Sequence, residues 1–297
     1  EQGGSMFQNR AAGVAAYEVP KGSKLFAIFA GALWMGGTDV NGQLKLAALR
    51  YRSGNDFWPG PLTVNPGTGD YNPSNPLGAG VVRDFGEANI DPDQCIAYDK
   101  FYTIRKAEVI RFNIWWECSQ GIVTEGCNDV QALTNDELNR IYGWPAHGDV
   151  SQGQDYYLAP FYDRNDDGVY NYEDGDYPWH DIEKTKDCKT DRRVSLYGDL
   201  NYWWVMNDKG NIHTESQGEP IGMEIRAQAF AFATNDEINN MTFYNYELIN
   251  RGTQTLYNTY FGVFLDGALG DPFDDYVGCD VSRGLGYFYN GDAVDGD

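Results

Sequence analysis

A mainly β fold is predicted for this chain of 297 residues: an antiparallel β-sandwich with a small helical insertion and long Gly/Pro/Asn-rich loops. Three observations predict it: apolar runs of strand length, glycine-rich turns between them, and helix-start chemistry confined to one stretch. A content of 42% hydrophobic and 15% aromatic residues is too apolar for a disordered acidic chain and sufficient for a large core.

Residues 24–35 and 43–51 are apolar runs joined by the glycine-rich stretch 36–42, which reads as a hairpin. Residues 54–90 concentrate Pro, Gly and Asn and read as a long loop. Helical pattern follows over 106–117, with Ala107, Ile110 and Ile114 on one side, although Trp115 and Trp116 also suit a strand. Thr134-Asn-Asp-Glu137 is a capping box, Leu138, Ile141 and Tyr142 form the apolar stripe behind it, and Gly143-Trp144-Pro145 ends the helix. Residues 223–233 alternate, with Met223, Ile225, Ala227, Ala229, Ala231 and Ala233 as the small inner face. With 241–250 and 256–266 they read as a three-strand antiparallel meander. In domain terms, 1–297 is expected to be one β-rich unit of a longer protein. Within it, 91–150 is a mainly helical insertion, 155–180 a calcium-loop segment and 195–297 an antiparallel meander.

Forty-four acidic against 22 basic residues give a net charge of -22, which repels nucleic acid and anionic membranes. The densest basic stretch, 184–193, is interrupted by Asp187 and Asp191. The longest apolar run, 25–35, falls short of the roughly 20 residues of a membrane helix, so direct membrane insertion is not expected. The sequence opens on Glu1 with no charged n-region and apolar h-region in its first residues, so any export signal is expected to have been removed. Cys118 and Cys127 either close a small disulfide loop or are free thiols; with Cys95, Cys188 and Cys279 the count is odd, and no CxxC occurs.

The most informative stretch is Asp163-Arg-Asn165-Asp-Asp167-Gly168-Val169-Tyr-Asn171-Tyr-Glu-Asp174. Its oxygen-bearing residues stand at positions 1, 3, 5, 9 and 12 of a calcium loop, with glycine at 6 and the Val169 backbone carbonyl at 7. The expected ligands are therefore Asp163, Asn165, Asp167, Val169, Asn171 and Asp174, with calcium as the ion. An Asx-rich turn without an ion is the plainer alternative. The shorter Asp174 in place of Glu, and the lack of flanking helices, make the loop resemble those of dockerin and thrombospondin type 3 repeats. A second acidic run, Asp266, Asp271, Asp274, Asp275 and Asp280, is a candidate second site, although its spacing fits no standard loop and a solvated acidic turn is the preferred reading. The tail 290–297 reads as another acidic turn, with the chain expected to continue beyond it.

Enzymatic signatures are missing: there is no GxSxG, HExxH or P-loop, and His147, His180 and His213 share no ligand spacing. Blocks at Tyr17-Glu-Val-Pro20, Ala32-Leu-Trp34-Met-Gly-Gly37, Gly54-Asn-Asp56-Phe-Trp58-Pro-Gly-Pro61, Trp144-Pro-Ala-His147-Gly-Asp149, Leu158-Ala-Pro160-Phe, Trp203-Trp-Val-Met-Asn-Asp208-Lys-Gly-Asn211-Ile-His213 and Asp274-Asp-Tyr-Val-Gly-Cys-Asp280 resemble those of large secreted Bacteroidota proteins. The resemblance implies export by type IX secretion, although this chain lacks the C-terminal sorting domain of that family, and it brings no catalytic residues. The expected function is an extracellular, calcium-stabilised structural or adhesive cell-surface protein, whose partners are copies of itself, other surface proteins or the export machinery. The alternative is a secreted protein that binds or hydrolyses polysaccharide, in which Trp and Tyr side chains stack on glycans.

Overall fold

The computed structural model describes residues 3–9, 13–51, 55–64, 88–187, 189–190 and 193–293. Strand makes up 34% and helix 15%, so the fold is mainly β, built of several antiparallel sheets. The principal elements are β1 (Phe26–Thr38), β2 (Leu44–Ala48), α1 (Pro92–Ala97), β3 (Tyr102–Arg105), α2 (Lys106–Ser119), α3 (Asn135–Tyr142), β4 (Leu200–Asn207), β5 (Met223–Ala231), β6 (Phe243–Asn250), β7 (Tyr257–Gly267), β8 (Asp275–Asp280) and β9 (Leu285–Asn290). Where one β-rich unit is expected over 1–297, the chain divides into two compact units. The helix-bearing unit is Pro59–Asn207 with Gly222–Thr253, and the hairpin unit is Glu1–Trp58, Asp208–Ile221 and Gln254–Asp297. Of the predicted long loop, 65–87 lies outside the described residues, as do Cys188 and 294–297 of the tail.

In the helix-bearing unit β3, β4, β5 and β6 form one antiparallel sheet, with β4 running from Leu200↔Ala231 to Asn207↔Glu224 against β5. Ile104, Trp203 and Val205 of that sheet join Val109, Phe112, Ile141 and Trp144 in one buried apolar cluster, so the helices belong to the core. The segment 106–117 is helical, but its buried residues are Glu108, Val109, Phe112 and Asn113, whereas Ala107 and Ile110 are exposed. The inward face is rotated because Glu108 carries a fork to Arg140 of α3, at 2.7 and 3.0 Å. The capping box of α3 forms in both directions: Thr134 N–H donates to Glu137 Oε2 at 2.8 Å, and Glu137 N–H donates to Thr134 Oγ1 at 3.3 Å.

The alternation on β5 is real, but its polar face is interior as well. Ile225 and Ala227 are buried, and so are Glu224 and Gln228. Glu224 accepts from Arg226 at 2.9 Å and from Arg251 at 3.2 Å, and both guanidiniums also reach Asp155, at 3.0 and 2.9 Å. This four-charge network fixes the end of β6, where Arg251 N–H also donates to Gly222 O. The expected meander is corrected here: β5 pairs β6, but β7 leaves and pairs with β1 of the hairpin unit. The 13-residue β1 matches the 11-residue β7 in length better than the 8-residue β6 does.

In the hairpin unit β1 and β2 pair as predicted, from Trp34↔Ala48 to Thr38↔Leu44, around a turn in which Asp39 Oδ1 accepts from Asn41 and Gln43 N–H at 2.9 Å each. Gly37 is required by close approach, since a Cβ there would stand 3.0 Å from the Tyr257 carbonyl of β7. Beneath the hairpin, Asp56 accepts from the amides of Ala48, Glu215 and Ser216. His213 is buried, with Nδ1 2.6 Å from Leu46 O and Nε2 2.5 Å from Asp208 O. The Asp56 carboxylate stands 3.9 Å from Nδ1, a third polar neighbour of the buried ring. Several of the sequence blocks singled out above are therefore buried polar joints.

Candidate functional site

The loop at 163–174 is built by its own backbone. Asp163 accepts from Asp167 N–H at 3.3 Å and Gly168 N–H at 2.6 Å, Asn165 Oδ1 accepts from Asp167 N–H at 3.2 Å, and Asp167 Oδ1 accepts from Val169 N–H at 2.8 Å. Positions 1, 3 and 5 are thus folded onto one turn, which positive φ at Asp166 (58°) and Gly168 (79°) makes possible. Asn171 caps the short helical turn Tyr172–Asp174, and its amide donates to Asp174 Oδ2 at 2.8 Å.

Neighbouring elements clamp this loop at several points. Arg164 lies over the Trp116 ring at 4.6 Å, pairs with Glu117 at 3.3 Å and donates to Asn113, all three on α2. Trp116 Nε1 donates to Glu173 O at 2.9 Å. The Tyr170 hydroxyl donates to Ile141 O of α3 at 2.7 Å, and Tyr170 N–H donates to His147 Nε2 at 2.7 Å. With Nε2 accepting, the His147 hydrogen sits on Nδ1, facing Tyr156 O at 3.1 Å. Burial holds the His147 pKa below its ordinary value, against the opposing pull of the Tyr156 carbonyl and the charges of Asp163 and Asp167.

Asp176, just past the twelfth position, is the residue that sequence reasoning missed. It is fully buried and bridges the two halves of the loop, accepting from Arg164 N–H at 2.9 Å and Asn171 N–H at 2.8 Å. Burial raises its pKa to about 6, with Asp163 and Asp167 adding to the rise and the two backbone amides opposing it. The available signal was an aspartate set between Gly175 and the apolar Tyr177-Pro178 strand.

The donor set is chemically that of calcium: three carboxylates, two amide oxygens and a carbonyl, all hard oxygen and numbering within the six to eight the ion takes. Asp163, Asn165 and Asp167 are brought together, whereas Asp174 is turned to Asn171. Among the described residues no group of three or more His, Cys, Asp or Glu side chains stands close enough to hold a metal ion.

The second acidic run is dispersed. Asp266 accepts from the Tyr51 hydroxyl at 2.8 Å, Asp271 from Phe273 N–H at 3.0 Å and Asp275 Oδ2 from Leu269 N–H at 2.9 Å. Asp280 binds Ser282 at 2.6 Å and Arg283 at 2.7 Å at the far end of β8. The three histidines sit in different settings: His147 on the loop, His213 under the hairpin, and His180 buried, its Nε2 without a hydrogen-bond partner among the described residues and its pKa pushed down to about 3 by burial and by Lys106. Cys118, in the last turn of α2, forms a disulfide with Cys127 beyond the helix, as is usual in oxidising compartments. No described helix is long and apolar enough to cross a membrane. No family profile, curated protein or solved structure matches the chain.

Proposed function

We propose that this chain is an extracellular structural or adhesive protein of the cell surface, a calcium-stiffened β-sandwich scaffold that acts by assembly. The observation that carries this reading is β7. Its 11 residues pair with β1 along one edge, and among the described residues no strand pairs with the other. Tyr260 is 76% exposed, and Phe261, Val263 and Leu265 are exposed beside it. An open, long, apolar edge of this kind is a template for another strand, and proteins that stay apart normally blunt it with charge or proline. Only Asp266 interrupts it. The partner is a strand of a second copy or of another surface protein, and the export route is the type IX one that the sequence blocks imply.

Calcium is the second part of the proposal. Asp163, Asn165 and Asp167 would hold the ion with the Val169 carbonyl, and Asp174 would exchange the Asn171 amide for it. Extracellular calcium modules bind at about 10⁻⁴–10⁻³ M, so the loop would be loaded outside the cell. The test is sedimentation velocity over a concentration series in millimolar calcium. Wild type is expected to self-associate or to capture a surface partner, and a Phe261→Lys/Val263→Lys double variant with an unchanged circular dichroism spectrum is expected to stay monomeric. A strictly monomeric wild type that also captures no surface partner would sink the assembly reading.

A further inference from the structure

The helix-bearing unit contains a cavity of about 260 Å³ that neither the loop nor the strand edge uses. Its wall is built around Gln154, which is 3% exposed and locked by three hydrogen bonds. Its Oε1 accepts from the Tyr98 hydroxyl at 2.9 Å and from Asp149 N–H at 2.9 Å, and its Nε2 donates to Gln94 Oε1. Because that bond takes the Gln94 oxygen, Gln94 is left with its NH₂ group as the wall's donor. Thr63 is set in the same way: its hydroxyl oxygen accepts from Asn89 N–H at 2.9 Å, which leaves the hydroxyl hydrogen to give. Asp91 uses Oδ1 on Asp93 N–H at 2.8 Å and keeps Oδ2 as an acceptor. Gln152 offers both an oxygen and an NH₂ group.

The lining thus mixes fixed donors with acceptors, contains one carboxylate and no Lys, Arg or His, and includes a small apolar surface from Pro61 and Ile90. An anion finds no counter-charge here, and the net charge of -22 opposes its approach. A fully apolar ligand would leave the amides unpaired. Hydroxyl groups both give and accept, so neighbouring hydroxyls on a ring satisfy amide and carboxylate side chains together, while the C–H face of the ring rests on Pro61 and Ile90. The volume lies below the roughly 300–1,000 Å³ of pockets for drug-sized ligands and suits a single ring. We propose that this cavity binds one residue of a neutral saccharide, independently of calcium and of the strand edge.

Saturation-transfer difference NMR on the full chain tests this, with glucose, galactose, mannose and N-acetylglucosamine as probes and glucuronate as the anionic control. At least one neutral sugar is expected to receive saturation on its ring protons, with a dissociation constant on the order of millimolar. Gln94→Leu and Gln152→Leu are each expected to weaken it by about tenfold at an unchanged melting temperature. Gln152 is exposed, so its variant keeps the test open if Gln94→Leu fails to fold. No signal from any neutral sugar, a signal that survives both substitutions, or glucuronate binding as tightly as glucose would overturn the proposal.

Discussion

The two acidic runs, 163–174 and 266–280, have similar carboxylate density but opposite organisation. In the first, three Asx side chains accept amides from the same turn, and Asp176, α2, α3 and His147 brace that turn from outside. In the second, Asp266, Asp271, Asp275 and Asp280 each serve a different local partner along 15 residues. Density of charge therefore does not make a site. What gathers oxygens on one turn is a spacing that lets consecutive backbone amides bind them, with glycine where φ must be positive.

The units differ as well: the helix-bearing unit buries a four-charge ion network, whereas the hairpin unit, beside its buried Asp56 and His213, leaves apolar strand open. The strongest way to break the contrast is Glu224→Leu. Arg226 and Arg251 would lose one of the two carboxylates they share while keeping Asp155, and Leu62 N–H would lose its acceptor at 3.1 Å. Removing one partner from a buried ion network costs about 3–5 kcal/mol. Urea denaturation should show a loss of that size, and a loss under about 1 kcal/mol would mean that the network is incidental.

The second prediction uses pH. The folded pKa of His180, about 3, lies below the ordinary value of about 6.5, so the unfolded chain binds the proton first as pH falls. Stability from the neutral buried ring is full above about pH 6.5 and is lost on the way down to about 3, which amounts to roughly 3 kcal/mol at pH 4. His147 acts in the same direction. Asp176 acts in the opposite direction, because its raised pKa lets the fold take up a proton near pH 6 before the unfolded chain does. Comparing wild type with His180→Phe at pH 7 and pH 4 isolates the first effect: the variant should gain roughly 3 kcal/mol on wild type over that interval. A constant difference would show that His180 is protonated inside the fold.

Much of this was legible in sequence, and the omissions share one cause. The capping box at Thr134 and Glu137, the hairpin of β1 and β2 and the Asx- and glycine-rich turn at 163–168 are local patterns whose physics is complete within a dozen residues. Missed were features that depend on what another segment supplies. Nothing near Glu224 announces Arg251 and Asp155, so the sequence marks only the small face of β5 as inner. Nothing in 256–266 says that its partner is β1 rather than β6, because residues of high β propensity pair with whichever edge is present. Asp176 lay two positions beyond the motif and was passed over for that reason.

Calcium sharpens the comparison of the two runs directly. If the loop binds at 10⁻⁴–10⁻³ M, then about 10 mM calcium should stabilise the fold by about 1.4–2.7 kcal/mol, read as a rise in melting temperature that chelation reverses. Asp163→Ala should abolish the rise and Asp271→Ala should leave it intact. The reverse outcome would transfer the site to the second run. No rise in either protein, with no bound metal detected, would leave the plain Asx turn as the reading of 163–174.

The smallest effect tests the bracing. Thr134→Ala removes one hydrogen bond of the α3 capping box and should cost about 1 kcal/mol. Because α3 holds loop position 8 through Tyr170 and Ile141, fraying of its first turn should also raise the calcium midpoint slightly. Asp280→Ala, which cuts an exposed pair at the end of β8, should change neither quantity measurably. Calcium titrations followed by tyrosine and tryptophan fluorescence would separate these outcomes. If the midpoint is the same in Thr134→Ala as in wild type while stability falls, α3 supports the core and not the loop, and the bracing reduces to α2, Asp176 and His147.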